Sequence, residues 1–190
     1  MMRRLTFLSP LICGALLICG SRELGATVLV PAEFHEIVAG SQVIVYGRVA
    51  AIRAEWSDDH TRIESIVTVT AGKYLKGGPG STVTFRVPGG QVGRYRNVMI
   101  GAPQFQAGDE AVFFLTASGA SVAHIFGLNQ GLYRVRIDAQ TGRRLVVLPV
   151  LMSDSDQPRT IVRGDPGRRQ LSLDEFAATV RQAMSAGNAR

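Results

Sequence analysis

Between Gln42 and Val150 the apolar residues recur mostly at every second position, a period that fits a pleated sheet and not a helical bundle. From Gln42 to Glu55, Val43, Val45, Val49 and Ala51 fall on one side, and Ile44, Tyr46, Ala50 and Ile52 on the other. A strand apolar on both sides is buried twice, as where a barrel strand is also covered by a helix. A second long strand is predicted from Arg62 to about Lys73, with Ile63, Val67 and Val69 set against Arg62, Glu64, Thr68 and Thr70. The polar stretch from Trp56 to Thr61 makes the two a hairpin. Thr82 to Val87 follows, with Val83, Phe85 and Val87 inward, and the unbroken apolar run Ala111–Leu115 reads as a central strand. Val122–Phe126, Gly131–Ile137 and Leu145–Val150 complete the set. The 21 glycines supply the punctuation, most densely at Leu75–Gly80 and Pro88–Gly90.

Helical spacing is confined to the flanks. Phe34, Ile37 and Val38 share one face of a short helix predicted over Ala32–Ala39, with Pro31 before it and Gly40 as its left-handed terminator. Near the C-terminus, Ser172 and Glu175 form a capping box, and Leu171 and Phe176 a hydrophobic staple. The apolar stripe Leu173, Phe176, Ala177, Val180 and Met184 then needs a surface to dock on. Residues 153–170 are polar and rich in Pro, Gly and Arg, which reads as a linker. The pattern predicts a mainly β fold over 27–152: a small antiparallel β-barrel with a short N-terminal helix, and a C-terminal helix at 171–187 packed on it. A β-sandwich is the alternative.

The first 26 residues have the form of a secretory signal peptide. Arg3 and Arg4 are followed by an apolar stretch from Leu5 to Cys19, and small and polar residues lead to Ala26. That stretch is shorter than the roughly 20 residues a membrane span needs. Cleavage after Ala26, or alternatively near Ser21, gives an exported chain, periplasmic or extracellular, with no stable membrane span. Both cysteines, Cys13 and Cys19, lie within the leader. A lipid anchor at Cys19 is the minor alternative, disfavoured by Ile18 where a lipoprotein signal has a small residue. Cleavage at Ala26 leaves no thiol for a disulfide or a nucleophile. The chain carries a formal charge of +6, almost all from arginine. The charges are dispersed and form no stripe, so nucleic acid is not expected as a partner.

No motif for catalysis or for a cofactor is present. The histidines, His35, His60 and His124, are unpaired in sequence. The densest group of metal-type ligands is Asp58, Asp59 and His60 in the first hairpin loop, a weak candidate because short acidic turns are common. Gly89–Gly93 lacks the Lys-Ser/Thr of a phosphate loop and reads as a turn or bulge. The segment from Pro88 to Gly108 is long for a compact domain, and such loops tend to carry function. Within it, Asn97 to Ile100 is expected as a short edge strand. Arg94, Tyr95 and Arg96 combine two cations with a ring, suited to a carboxylate, phosphate or peptide. Phe105 is either a further contact residue or a plug for the barrel mouth.

The segments Ser41–Val49, Tyr74–Gly77, Pro88–Gly90 and Gly101-Ala102-Pro103-Gln104-Phe105-x-x-Gly108 resemble a family of exported bacterial proteins of unassigned activity. More distantly, the opening strand, the Lys-Gly turn and the Phe-Phe-Leu strand resemble the netrin-like domain of tissue inhibitors of metalloproteinases. That resemblance implies an OB-like barrel. Those inhibitors ligate the protease zinc through an amino-terminal cysteine, which this chain lacks once its leader is removed. The expected function is a non-catalytic binding domain for a protein, peptide or cell-envelope component, with Arg94, Tyr95, Arg96 and Phe105 as contacts and no cofactor. The alternatives are a metal-assisted hydrolase at Asp58, Asp59 and His60, or an inhibitor of a secreted protease.

Overall fold

Strands β1 (Val43–Trp56) and β2 (Ile63–Lys76) form the predicted long hairpin, and β3 (Thr82–Pro88) adds to its free side. The computed structural model describes residues 31–78, 80–117, 122–148 and 170–187. The predicted leader, residues 149 and 150 of the last predicted strand, and 153–169 of the predicted linker lie outside the described residues. The chain continues through β4 (Gly90–Val92), β5 (Tyr95–Asn97), β6 (Glu110–Thr116), β7 (Ala123–Ile125), β8 (Leu132–Ile137), β9 (Arg144–Val147) and β10 (Leu171–Ser172). Helices α1 (Phe34–Gly40) and α2 (Leu173–Gly187) stand before β1 and after β10.

Five of these strands close on themselves in the order β1-β2-β3-β7-β6, with β6 returning to β1 from Val43↔Leu115 to Arg48↔Glu110. Closure depends on one short parallel contact, β3 with β7 through Phe85↔Ala123 and Arg86↔His124, while the other barrel pairings are antiparallel. This is the expected OB-like barrel and not the alternative sandwich, because β6 returns to β1 and closes the sheet on itself. The other edge of β6 is divided: Leu115–Thr116 pair with β7, whereas Ala111–Phe113 pair with β8, which leads on to β9 and β10. The sheet therefore branches at β6.

Alternation along β1 and β6 sorts side chains into two cores. Val45, Val49, Val67, Val69, Phe85, Phe113 and Leu115 fill the barrel. Ile44, Val112 and Phe114 point outward beneath the helices and meet Ile37, Val38, Tyr133, Val146, Phe176 and Val180. Double burial of β1 thus holds from Val43 to Gly47, after which Arg48 is exposed and Val49 is buried. It fails at Ala50–Ile52, which are exposed, because a register shift between Val49 and Ala51 turns the strand and its far half runs past the barrel.

Helix α1 does not end on a left-handed glycine. Gly40 is its last helical residue, and the Phe126 ring lies 2.5 Å from where a Cβ would sit, so close approach is the reason for the glycine. The C-terminal carbonyls of α1 are instead capped from β2, where Lys76 Nζ donates to Val38 O at 2.9 Å and Ala39 O at 3.2 Å. The capping box of α2 is formed as expected. Ser172 N donates to Glu175 Oε2 at 2.8 Å and Glu175 N to Ser172 Oγ at 3.3 Å. Phe176, Ala177 and Val180 are buried, with Leu171, Leu173 and Met184 packed around them. Ser172→Ala is expected to lower stability by about 1 kcal/mol, read as a fall in the urea midpoint with an unchanged slope.

Candidate functional site

The segment from Pro88 to Gly108 is not one irregular loop. Its first part is the hairpin β4–β5, paired through Gly90↔Asn97, Gln91↔Arg96 and Val92↔Tyr95 and turned at Gly93, whose φ is +57°. The edge strand expected at Asn97–Ile100 lies instead at Tyr95–Asn97, and Val98–Ile100 leave it as loop. The hairpin lies across the end of β1–β2. Gly89 N donates to Ile63 O at 3.0 Å, and Ser65 Oγ donates to Gly89 O at 2.8 Å. Gly90, at φ +149°, is the point of closest crossing: a Cβ there would meet Ser65 Oγ at 2.8 Å and Ala54 Cβ at 3.1 Å.

Hairpin register separates the residues that the sequence groups together. Arg96, opposite Gln91, faces a cleft of about 460 Å³ at the barrel mouth. Tyr95 turns away and packs on Trp56 with ring centroids 5.6 Å apart, while Arg94 lies over Tyr95 at 5.0 Å and donates to its hydroxyl. Phe105 stands at the barrel mouth. Its ring packs against Phe85 and Phe113 at 5.8 and 6.0 Å, and it also forms part of the cleft wall. Arg134 holds it there, with its guanidinium 5.6 Å from the ring and Nη1 donating to Asp109 Oδ2 at 3.1 Å.

The rest of the cleft comes from residues not singled out by their pattern. Val67 and Val87 form its floor, Gln91, Asn97 and Gln104 bring amides, and Met99 stands at its rim. Val98, Met99 and Ile100 form a consecutive exposed apolar run, Ile100 at 85% exposure. Three apolar residues without alternation, after a run of Gly and Arg, were the available signal. Arg96 has no ion-pair partner among the described residues, and no His, Cys, Asp or Glu lines this cleft.

The weak metal candidates do not converge. Asp58 is exposed, and both oxygens of Asp59 are occupied: Oδ1 accepts from Ser57 Oγ at 2.6 Å, and Oδ2 accepts from Thr61 Oγ1 at 2.8 Å. These bonds hold the Asp59 carboxyl down at about 2 and fix the turn. His60, at φ +54°, stacks on Trp56. Among the described residues no three metal-ligating side chains form a group. His35 and His124 are exposed.

Elsewhere some surface charges are paired, while Lys73, Arg136 and Arg143 are exposed and, like Arg96, have no ion-pair partner among the described residues. On the outer face of the barrel, Glu55 and Glu64 are directly opposite, an unfavourable like-charge pair, and Arg86 reaches both at 3.5 and 3.0 Å. Arg53 and Arg62 close this ladder at its ends. Glu110 joins three strands by accepting from Tyr46 Oη at 2.6 Å, from Arg48, and from Arg144 Nε at 3.2 Å. Burial pulls its carboxyl upward, but the bonds from Tyr46 and Arg144 and the two cations outweigh it and leave the group below its ordinary value. A carboxyl depressed in the folded state adds stability above its unfolded pKa and loses it as pH falls through the folded value. The urea midpoint should therefore be level from about pH 7 to pH 5 and fall below about pH 4.5. Glu110→Gln should flatten that fall, and an unchanged acid limb would remove Glu110 from it.

No helix among the described residues is long and apolar enough to cross a membrane. The barrel, its mouth cleft and the helical layer are features read from this chain alone, since no family model, curated protein or solved structure matches it.

Proposed function

We propose that this chain is an exported, non-catalytic binding domain that holds a polypeptide partner, another exported protein or an envelope component, at the barrel mouth. The leader pattern from Met1 to Ala26 supports export. One observation carries the binding reading: a cleft without an acid, base or thiol, but with an unpaired guanidinium and an exposed apolar run beside it. Soluble domains seldom leave contiguous apolar surface bare unless it meets a partner. Ser65, the one hydroxyl in the cleft wall, donates to the backbone of Gly89. Metal-assisted hydrolysis has no comparable support, because the oxygens of Asp59 hold its own turn.

The test uses the domain without its leader, with a photoreactive benzophenone amino acid replacing Met99, irradiated in the envelope fraction. A discrete protein adduct is expected, and none from the same group at Ile137, which is also exposed but lies outside the cleft. Arg96→Glu should cut the adduct yield by about tenfold or more, whereas Arg94→Glu should leave it nearly unchanged. Equal adducts from positions 99 and 137, or none from 99, would refute the assignment.

A further inference from the structure

Beside the mouth cleft lies a second hollow of about 380 Å³, formed by Arg62, Glu64, Arg86, His124, Ile125 and Leu128. Val87, Pro88 and Met99 line both hollows, so the two adjoin at these residues and are treated as the lobes of one groove. The lobes differ in character. The first holds three amides and the unpaired Arg96, and the second is walled at one side by Ile125 and Leu128. Arg62 and Arg86 of the second lobe are engaged by Glu64 and Glu55, so Arg96 is the one arginine of the two lobes without an ion-pair partner among the described residues.

Leu128 closes the far end in an unusual way. It has φ +65°, a left-handed conformation that is strained for a branched side chain, and its Cδ2 lies 3.3 Å from where a Gly101 Cβ would be. Strain of this kind persists where the surrounding structure enforces it, and it is common at ligand clamps. The hairpin adds a main-chain feature: β5 pairs only with β4, so its other edge, Tyr95–Asn97, has no strand partner among the described residues.

From this geometry we infer that the groove takes an extended, acidic-apolar peptide segment, with one carboxylate on Arg96 and the following apolar side chains across Met99 into the lobe at Leu128. The inference rests on the binding reading above and names its ligand class. Charge complementarity selects an acidic segment, because Arg96 is an exposed cation at the cleft with no ion-pair partner among the described residues. A groove with two lobes and an open strand edge selects an extended chain over a compact ligand.

Fluorescence anisotropy with three synthetic decapeptides tests it. Each alternates Leu and Val with polar residues around one central position, occupied by Asp, Asn or Lys. The Asp peptide should bind about tenfold or more tightly than the Asn peptide, and the Lys peptide more weakly still. Arg96→Gln should abolish the preference for Asp. Leu128→Asn, which tolerates the left-handed backbone, should weaken the Asp decapeptide several-fold while leaving unaffected an amidated pentapeptide that ends at its Asp and so has no following residue to enter the second lobe. Thermal melting of both variants confirms that they are folded. Equal binding of the Asp and Asn peptides would overturn the acidic ligand class and leave polypeptide binding standing. Loss of both the decapeptide and the pentapeptide in folded Leu128→Asn, or of neither, would overturn the two-lobed groove. Failure of all three peptides to bind would overturn this inference and the polypeptide reading together.

Discussion

Phe114→Ala is expected to destabilise the protein by about 3–5 kcal/mol, roughly a fifth or more of the total stability of a typical domain. The residue is fully buried on the helix-facing side of β6. Its ring meets Tyr133 at 5.0 Å, Phe34 at 6.1 Å and Phe176 at 6.2 Å, in tilted and edge-on arrangements that favour aromatic pairs. Truncation leaves a void between a strand and two helices, and the main chain around it cannot collapse. Phe114 N is bonded to Gly131 O, and Phe114 O accepts from Phe126 N. Phe114→Leu should cost clearly less because most of the volume remains. Urea unfolding followed by far-ultraviolet dichroism measures both, and a cost below about 1 kcal/mol for the alanine variant would contradict the burial of this ring.

Gly47→Ala, which adds one methyl group, is expected to cost about 2–3 kcal/mol. Gly47 is where β1 is held between β2 and β6, paired with Ala71 on one side and Ala111 on the other. A Cβ there would lie 2.5 Å from Thr70 O and 2.5 Å from Val69 Cγ1. The first neighbour is backbone, so the strands themselves must separate, and the register shift between Tyr46 and Gly47 shows the ladder is already irregular there. Gly78→Ala is the control, since no atom lies within 4 Å of its Cβ position. A large drop in melting temperature for the first and little change for the second is the expected pair of results. Equal melting temperatures would mean that β1 and β2 can yield at this point.

The barrel was legible because alternation is a local signal. Val83, Phe85 and Val87 are buried as their spacing implies, as is the apolar run of β6. The capping box at Ser172 was readable for the same reason, since its two members are three residues apart. What escaped depends on register and long-range pairing. The exposure of Ala50–Ile52 follows from a bulge that no pattern in β1 announces. The hairpin β4–β5 is built from Gly, Gln, Tyr, Arg and Asn, with Val92 its one β-branched residue, so it carries almost no strand signal. Its pairing places Arg96 in the cleft and turns Tyr95 out of it, a separation invisible while the three residues are read as one motif. The second lobe was hidden because Leu128 and His124 reach it only through the parallel contact of β7 with β3.

The branching at β6 has a thermodynamic consequence. Strands β1 and β6 serve as a shared wall, with Val45 and Phe113 on one side and Ile44 and Phe114 on the other. Neither core can melt while the other keeps its lining, so the two should be lost in one cooperative transition. A ligand seated at the mouth would consequently slow amide exchange in α2, on the opposite side of that wall, without touching it.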